Sequence, residues 1–268
     1  MTDPGTVPWA SGPVTERATC VLAPNPSPMT LDGTNTWVLV EPGSDLAVVI
    51  DPGPELAAHH QAVLDTSERL GARIGLVLLT HGHPDHAEGA ATLAALAGGV
   101  AVRALDPAHR LGGEGLGHGD EVTVGGVRLS VVGTPGHTSD SLSFHLVDDG
   151  AVLTGDTVLG RGSTVVAHPD GRLGDYLGSL ERLRVLAETY GLTHVLPGHG
   201  PGLADPAGVV AGYQRHRLQR LAQVEAALAA GATDAREVVA AVYADVDPVL
   251  WPAAELSVLA QLAYLRER

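Results

Sequence analysis

The sequence predicts a layered α/β fold that ends in an all-helical segment, and three observations carry that prediction. From Thr36 onward, short runs rich in Val, Leu and Ile alternate with Gly and Pro, the pattern of buried strands separated by tight turns. These runs come in groups as well as singly, which favours stacked layers over a strictly alternating, doubly wound sheet. Beyond Pro206 no strand pattern recurs and helical spacing takes over.

In chain order, residues 1–28 are rich in Pro, Thr and Ser and read as an irregular arm or an edge strand. The strands follow as "TWVLV" (36–40), "LAVVID" (46–51), "IGLVLLT" (74–80), "VRLSVVG" (127–133), "LSFHLV" (142–147), "AVLTG" (151–155) and "THVLP" (193–197). Helical patterns fall between them at about 55–70, 87–97 and 174–190. In the tail, a helix over about 207–230 stops at Gly231. A second opens at "TDAREVV", where Asp234 and Glu237 have the spacing of an N-terminal capping box. A third, "AAELSVLAQLAYLRE", follows the turn "DPVLWP". No repeat, low-complexity tract or long linker intervenes. The expected organisation is a main domain over residues 1–205 with a helical domain over 206–268 packed on it.

Composition narrows the function classes. A chain of 268 residues, 44% of them hydrophobic, can bury a sizeable core without covalent staples. Aromatics make up only 3%, so that core rests on Ala, Val and Leu. All 16 basic residues are arginine, a compositional bias like the abundance of Ala, Gly and Pro. The lone Cys20 excludes an intramolecular disulfide and a cysteine-based zinc site, and no nucleophile motif surrounds it. A net charge of −15 disfavours extended nucleic acid as a partner, because phosphate contacts need a basic track. No signal sequence or membrane-length apolar run is apparent, so a cytoplasmic location without a membrane partner is expected.

The chemistry concentrates at strand ends. "LTHGHPDHAEG" (79–89) presents His81, His83, Asp85 and His86 directly after an apolar run. His137 follows "VRLSVVG", Asp156 follows "AVLTG" and His199 follows "THVLP". Loops at strand ends are where α/β folds build sites. Five imidazoles and two carboxylates suit two divalent ions that share one carboxylate, zinc first, with iron or manganese also accepted by such donors. A tight strand-to-helix loop stiffened by Pro84 can splay its ligands towards two ions, which a continuous helix cannot. The eight other histidines, among them His59, His118 and His216, lack such company and read as surface or core residues.

"HGHPDH" followed by "PGHT", "GD" and "PGHG" resembles the metallo-β-lactamase superfamily over roughly residues 36–202. The resemblance implies a four-layer αββα sandwich. It also implies that His81, His83 and His137 hold one metal, that Asp85, His86 and His199 hold the other, and that Asp156 bridges them. Every one of these positions is filled here. "NPSPMTLDGTNTWVL", "GDTVLGRGSTVV", "DYLGSLERL" and the terminal helices further resemble the lactamase-beta-like branch. That branch carries a winged-helix-like tail and includes an endoribonuclease and many hydrolases, with polyketide-pathway thioesterases among related members.

Residues around the cluster have two readings each. Asp51, which ends "LAVVID", is either a turn former or a carboxylate that orients a ligand histidine. Thr34 and Asn35 close a turn or lie at the cleft mouth. His168 in "VVAHPDG" is an exposed loop histidine or a proton donor to a leaving group at the pocket rim. Thr138, Ser139 and Ser141 bond local backbone in the ordinary case. Arg215, Arg217 and Arg220 in "YQRHRLQR" form a solvated helix face or guide an anionic substrate.

The expected activity is dinuclear-metal hydrolysis, in which a metal-bridging hydroxide attacks a carbonyl or phosphorus centre and no protein nucleophile is needed. Asp85 or Asp156 would manage the water proton, although metal ligands are poor independent bases. The expected partner is a small-molecule thioester, ester or lactone. Alternatives are a metal-dependent endoribonuclease or phosphodiesterase and, from another class, an iron-dependent sulfur-oxidising or di-iron redox enzyme. No flavin domain is appended to favour the redox reading. A non-catalytic binding protein would show degraded ligands, and none is degraded. The terminal helices leave room for a homodimer.

Overall fold

The computed structural model describes residues 9–268. The first part of the expected N-terminal arm, residues 1–8, lies outside the described residues. Among the described residues two six-stranded sheets stack face to face. The first contains β1 (Gly12–Pro13), β2 (Ala18–Leu22), β3 (Asn35–Val40), β4 (Leu46–Ile50), β5 (Arg73–Leu78) and β6 (Val102–Arg103), each beside its neighbour in sequence. The second contains β7 (Glu121–Val124), β8 (Val127–Gly133), β9 (Leu142–Leu146), β10 (Ala151–Gly155), β11 (His194–Pro197) and β12 (Leu203–Ala204), again in sequence order. The rest of the arm thus supplies the edge strand β1 and its inner neighbour β2, with Cys20 opposite Trp37.

The alternation of side chains explains why the strands read as continuous apolar runs. In β3, Trp37 and Leu39 face the second sheet, while Val38 and Val40 face helices. Leu129, Val131, Phe144, Leu146 and Leu153 meet Trp37 and its neighbours from the other side. Full burial of each such side chain contributes roughly 1.5–3 kcal/mol. The outer face of the first sheet is covered by α1 (Ala57–Arg69) and α3 (Ala90–Leu96), and that of the second by α4 (Leu173–Tyr190) and α5 (Pro206–Ala229). The four layers are therefore α, β, β, α.

Most neighbouring strands are antiparallel, but β4–β5, β5–β6 and β10–β11 are parallel. Each parallel pair needs a helical crossover, so the chain leaves β4, β5 and β10 through a loop that returns over the sheet. Those loops, with the β8–β9 connection and the segment after β11, gather at one edge. Asn35 stitches the two sheets there. Its amide donates to the Gly198 carbonyl at 2.7 Å, and its side-chain Nδ2 donates to Pro197 and Gly200 carbonyls at 2.9 and 2.8 Å.

The single helix expected over 87–97 is broken into α2 (Pro84–Ala87) and α3. The break falls at Gly89, whose amide donates to the Gly53 carbonyl at 2.9 Å. The Nε2 atom of His60 lies 2.3 Å from where a Cβ on Gly89 would sit, so only glycine lets the chain pass this close. The short α2 is thereby free to aim Asp85 and His86 independently of α3.

The C-terminal segment consists of α5, α6 (Ala235–Val242) and α7 (Trp251–Arg266), with an apolar cluster of its own around Val224, Val238 and Val258. Among the described residues it contains helices and no strand. Asp234 caps α6 by accepting from the Glu237 amide at 2.9 Å, while the Glu237 carboxylate reaches back to the Thr233 amide at 2.7 Å. The capping pair is the expected one, with the return bond landing one residue earlier. The Tyr213 hydroxyl on α5 accepts from the Leu159 amide at 2.9 Å, tying the tail to the segment after β10.

Candidate metal centre

The seven predicted ligands converge. Ligating atoms of His81, His83 and His137 lie within 4.8 Å of one another, as do those of Asp85, His86 and His199, and those of His81, His86 and Asp156. The first two groups are the expected pair of triads. Asp156 lies between them: its Oδ2 is 3.3 Å from His199 Nε2 and 3.6 Å from His137 Nε2, and its Oδ1 is 3.4 Å from His86 Nε2.

Hydrogen-bond partners fix which imidazole nitrogens face inward. His137 Nδ1 lies 2.7 Å from the Val165 carbonyl and His199 Nδ1 lies 3.1 Å from the Gly33 carbonyl. A carbonyl can only accept, so both Nδ1 atoms carry the proton. His86 Nδ1 donates to Asp51 Oδ2 at 2.9 Å. The Thr80 hydroxyl donates to Asp51 Oδ2 at 2.7 Å and therefore accepts from His81 Nδ1 at 3.0 Å. In neutral imidazoles this leaves four bare Nε2 lone pairs pointing inward. His81 Nε2 is 3.0 Å and His137 Nε2 is 3.1 Å from His83 Nδ1, while His86 Nε2 is 3.3 Å from His199 Nε2. A proton on His83 Nδ1 can satisfy only one of its two neighbours, and the lone pairs of His86 and His199 cannot satisfy each other. The buried Asp156 Oδ1 also lacks a hydrogen-bond partner. Converging lone pairs and an orphaned carboxylate oxygen are what a divalent cation requires, and the N/O donor set fits zinc or iron.

The electrostatics agree. Burial drives His81 well below the ordinary imidazole range, reinforced by His86 and His137, and lowers His83 in the same way. Burial also opposes charge on His86 and His199, but Asp156, joined by Asp85 at both and by Asp51 at His86, outweighs it and raises both, His199 to about 9. Asp85 and Asp156 stay well below the carboxylate range despite burial, because His86 and His199 stand beside them. Three carboxylates in a buried pocket thus demand positive charge, and protons and metal ions compete for it. The Asp85 side chain is 28% exposed, whereas those of His86 and His199 are buried, so the cluster opens to solvent on the Asp85 side.

Other predicted residues sort by position. Asp51 is 1% exposed and, through His86 and Thr80, orients a histidine in each triad. Thr34 and Asn35 are fully buried and not at the cleft mouth: the Thr34 hydroxyl donates to Asp85 Oδ2 at 3.0 Å. Thr138 and Ser141 bond each other at 2.7 Å within their loop, and the Ser139 amide donates to Asp170 at 3.1 Å. His168 is exposed and lines a separate depression beside α7, so the structure does not bring it to the cluster. Cys20 is buried, and burial pushes its thiol up to about 12, consistent with packing alone. Thr80 and the carbonyls of Gly33 and Val165 are functional groups that the sequence did not single out. Thr80 precedes His81 directly, a signal that could have been read, whereas a backbone carbonyl leaves none.

A family model of the metallo-β-lactamase superfamily matches residues 29–199, a span that contains all seven candidate ligands. The chain belongs to the metallo-β-lactamase superfamily. A second model, for a beta-lactamase associated winged helix domain, matches residues 235–268, which hold α6 and α7. Within the superfamily the chain is similar to a beta-lactamase-like protein 2 homolog of Drosophila melanogaster, 30% identical over 269 residues that cover 92% of this chain and 87% of that one. It is 35% identical over 215 residues to the lactamase-like protein adaB of Aspergillus niger, a match that covers 80% of this chain but only 65% of that protein's length. Similarity at 31% over 223 residues, 80% of this chain and 67% of the relative, extends to an atrochrysone carboxyl ACP thioesterase of Aspergillus chevalieri. The crystal structure of a beta-lactamase domain protein from Burkholderia ambifaria superposes with a TM-score of 0.79 at 26% identity, covering 98% of this chain and 91% of that one. A di-iron-bound crystal structure superposes with a TM-score of 0.56 at 27% identity, covering 74% and 98%. The superfamily fold implies use of a divalent metal.

Proposed function

We propose that this superfamily member is a dinuclear zinc hydrolase that cleaves a small-molecule thioester, ester or lactone. The convergence of bare imidazole nitrogens around Asp156 carries the reading. In this arrangement His81, His83 and His137 would hold one ion and Asp85, His86 and His199 the other, with Asp156 standing between the two triads. Two bound ions supply Lewis acidity towards the substrate oxygen and lower the pKa of the attacking water.

The chain's own residues do the rest. Asp51 and Thr80 hold His86 and His81 in one tautomer and one orientation, so no reorganisation is needed during reaction. Asp85 Oδ2 accepts from Thr34 and stands beside His86 Nε2 and His199 Nε2, which leaves Oδ1 to accept a hydrogen bond from the attacking water and orient it. In thioester cleavage the water oxygen bonds to the carbonyl carbon and the C–S bond breaks. The sulfur leaves as a thiol with one water proton, and the acyl group leaves as the acid. His168 has no part in these steps, because its exposed loop lies elsewhere.

A cavity of about 330 Å³ adjoins His137 and Asp156 and has the size of a small-molecule site. The thioesterase relative supports the thioester as first choice. The test is a panel of thioester, ester, lactone, β-lactam, phosphodiester and single-stranded RNA substrates, run with a His83→Ala control. Thioester, ester or lactone turnover that the control abolishes is expected. Salt-sensitive RNA cleavage lost in His199→Ala, without turnover of the small molecules, would replace this reading with a ribonuclease. The di-iron-bound neighbour supports a second reading in which iron fills the same ligands. Metal analysis of protein purified without added metal decides between zinc and iron.

A further inference from the structure

The cavity beside the metal cluster runs from His137 and Asp156 to the helical tail. Leu31, Leu159, Val246 and Leu250 give it an apolar wall. Facing this wall are Arg217, Arg220 and His216 of α5. Arg217 is only 6% exposed, yet no carboxylate stands at ion-pair distance among the described residues. Its Nη2 donates to the Thr164 carbonyl, its guanidinium lies 5.1 Å from the Tyr176 ring centre, and its buried Nε has no partner. Among the described residues Arg220 likewise meets only the Val242 carbonyl at 2.8 Å, Gln223 Oε1 at 3.0 Å and the Tyr243 ring at 4.7 Å. His216 Nδ1 is buried without a partner. Arg215, the third arginine of the motif, is exposed and outside the cavity.

A guanidinium is always charged, and a buried charge without a counter-ion is costly. This chain has 31 acidic residues against 16 arginines, so partners are not scarce. Arg161, which lines the same cavity, pairs with Asp32, and Arg17 and Arg184 each hold two or more carboxylates. Other arginines without an acid, such as Arg69, Arg73 and Arg182, are exposed to water, whereas Arg217 is the one buried arginine among the described residues. The link to the metal centre is short: Thr164 accepts from Arg217, and the next carbonyl, Val165, accepts from the ligand His137.

We propose that Arg217 and Arg220 form an anion subsite, and that the substrate is an acyl compound with an apolar body and an anionic group away from the bond that breaks. The proposal rests on the hydrolase reading above and names its substrate class. The apolar wall takes the body, the metal cluster takes the reacting carbonyl, and the guanidinium pair replaces the missing carboxylate with one carried by the ligand. The anion is a carboxylate at the far end of the acyl chain or a phosphate on the thiol side.

Two substrate pairs distinguish these sources, assayed on metal-loaded protein. One is the adipic monothioester of N-acetylcysteamine against its terminal methyl ester. The other is the hexanoyl thioester of 4′-phosphopantetheine against that of pantetheine. In the wild type the charged member of one pair is expected to have the higher kcat/KM, and Arg217→Met or Arg220→Met should lower that charged-to-neutral ratio about tenfold. No preference in either pair, or equal losses for both members in the variants, overturns the subsite. Arg220 is half-buried and carries the test if Arg217→Met does not fold. If no thioester is cleaved, the thioester reading fails by itself, and calorimetric binding of adipate against hexanoate still tests the subsite. Tighter adipate binding that Arg220→Met removes supports it, and equal binding overturns it.

Discussion

Asp51 has φ of 52°, a backbone conformation uncommon for a side chain other than Gly, Asn or Asp, and it is held there by bonds to Thr80 and His86. Asp51→Asn keeps the shape but turns an acceptor into an amide that faces two donors. Metal affinity is expected to fall by about 10–100-fold with the far-UV circular dichroism unchanged, measured by competition with a chelator. Unchanged affinity would remove Asp51 from the site. His59 illustrates a different use of a buried imidazole. Its Nε2 donates to the Thr36 hydroxyl at 2.8 Å, since that hydroxyl gives its own proton to the Asp51 carbonyl. Burial, with His60 beside it, lowers its pKa to about 4. A depressed pKa means that the folded state resists protonation, so the stabilisation is complete above pH 6.5 and is lost as pH falls towards 4. His59→Gln should flatten that part of the stability–pH curve, by about 3 kcal/mol at most, read from denaturant midpoints at several pH values. The seven candidate ligands were legible as a cluster in the sequence because each is a ligand-type residue placed just after an apolar run. Asp51 was legible as one of two readings. Thr34 and Thr80 were not, since a hydroxyl near a turn ordinarily bonds its own loop, and here each reaches across to another element.

At the scale of elements, close approach decides whether the cluster can form. The segment after β11 passes so near the ligands that a Cβ on Gly198 would lie 2.5 Å from Asp156 Oδ1 and 2.7 Å from His86 Cε1. Gly198→Ala is therefore expected to leave the sheets intact by circular dichroism while lowering bound metal. Retention of full metal content would show that the loop shifts freely. In the tail, Asp234→Ala removes the cap of α6 and should cost about 1 kcal/mol locally, seen as faster hydrogen exchange over 235–242 with β-sheet amides unaffected. The long strands and helices were readable from period and punctuation, β8 and β10 to the residue and the others with ends shifted by up to three residues. The two-residue β6 and β12 offer too little pattern to read. In β7, "EVTV" alternates correctly but was not separated from the glycine-rich stretch around it. The α2–α3 break was hidden because Gly89 is glycine on account of His60, a contact between distant positions.

At the scale of the whole molecule, two sheets bring strand ends that are far apart in sequence to one edge, and the tail helices close the cavity beside that edge. The four-layer architecture could be reached from the sequence only through the resemblance. Periodicity gave strands and helices, but not which faces meet. The tail's docking was equally hidden, because α5 reads as an ordinary helix until Tyr213 and Arg217 are seen to reach the segment after β10. No helix among the described residues is long and apolar enough to cross a membrane. The most direct measurement is metal content per chain followed together with turnover of the preferred thioester during removal of metal by a chelator and restoration with zinc. Two divalent ions per chain, parallel loss and recovery of turnover, and reduced metal in both His83→Ala and His199→Ala are the predicted result. Full turnover in protein stripped of metal would contradict it.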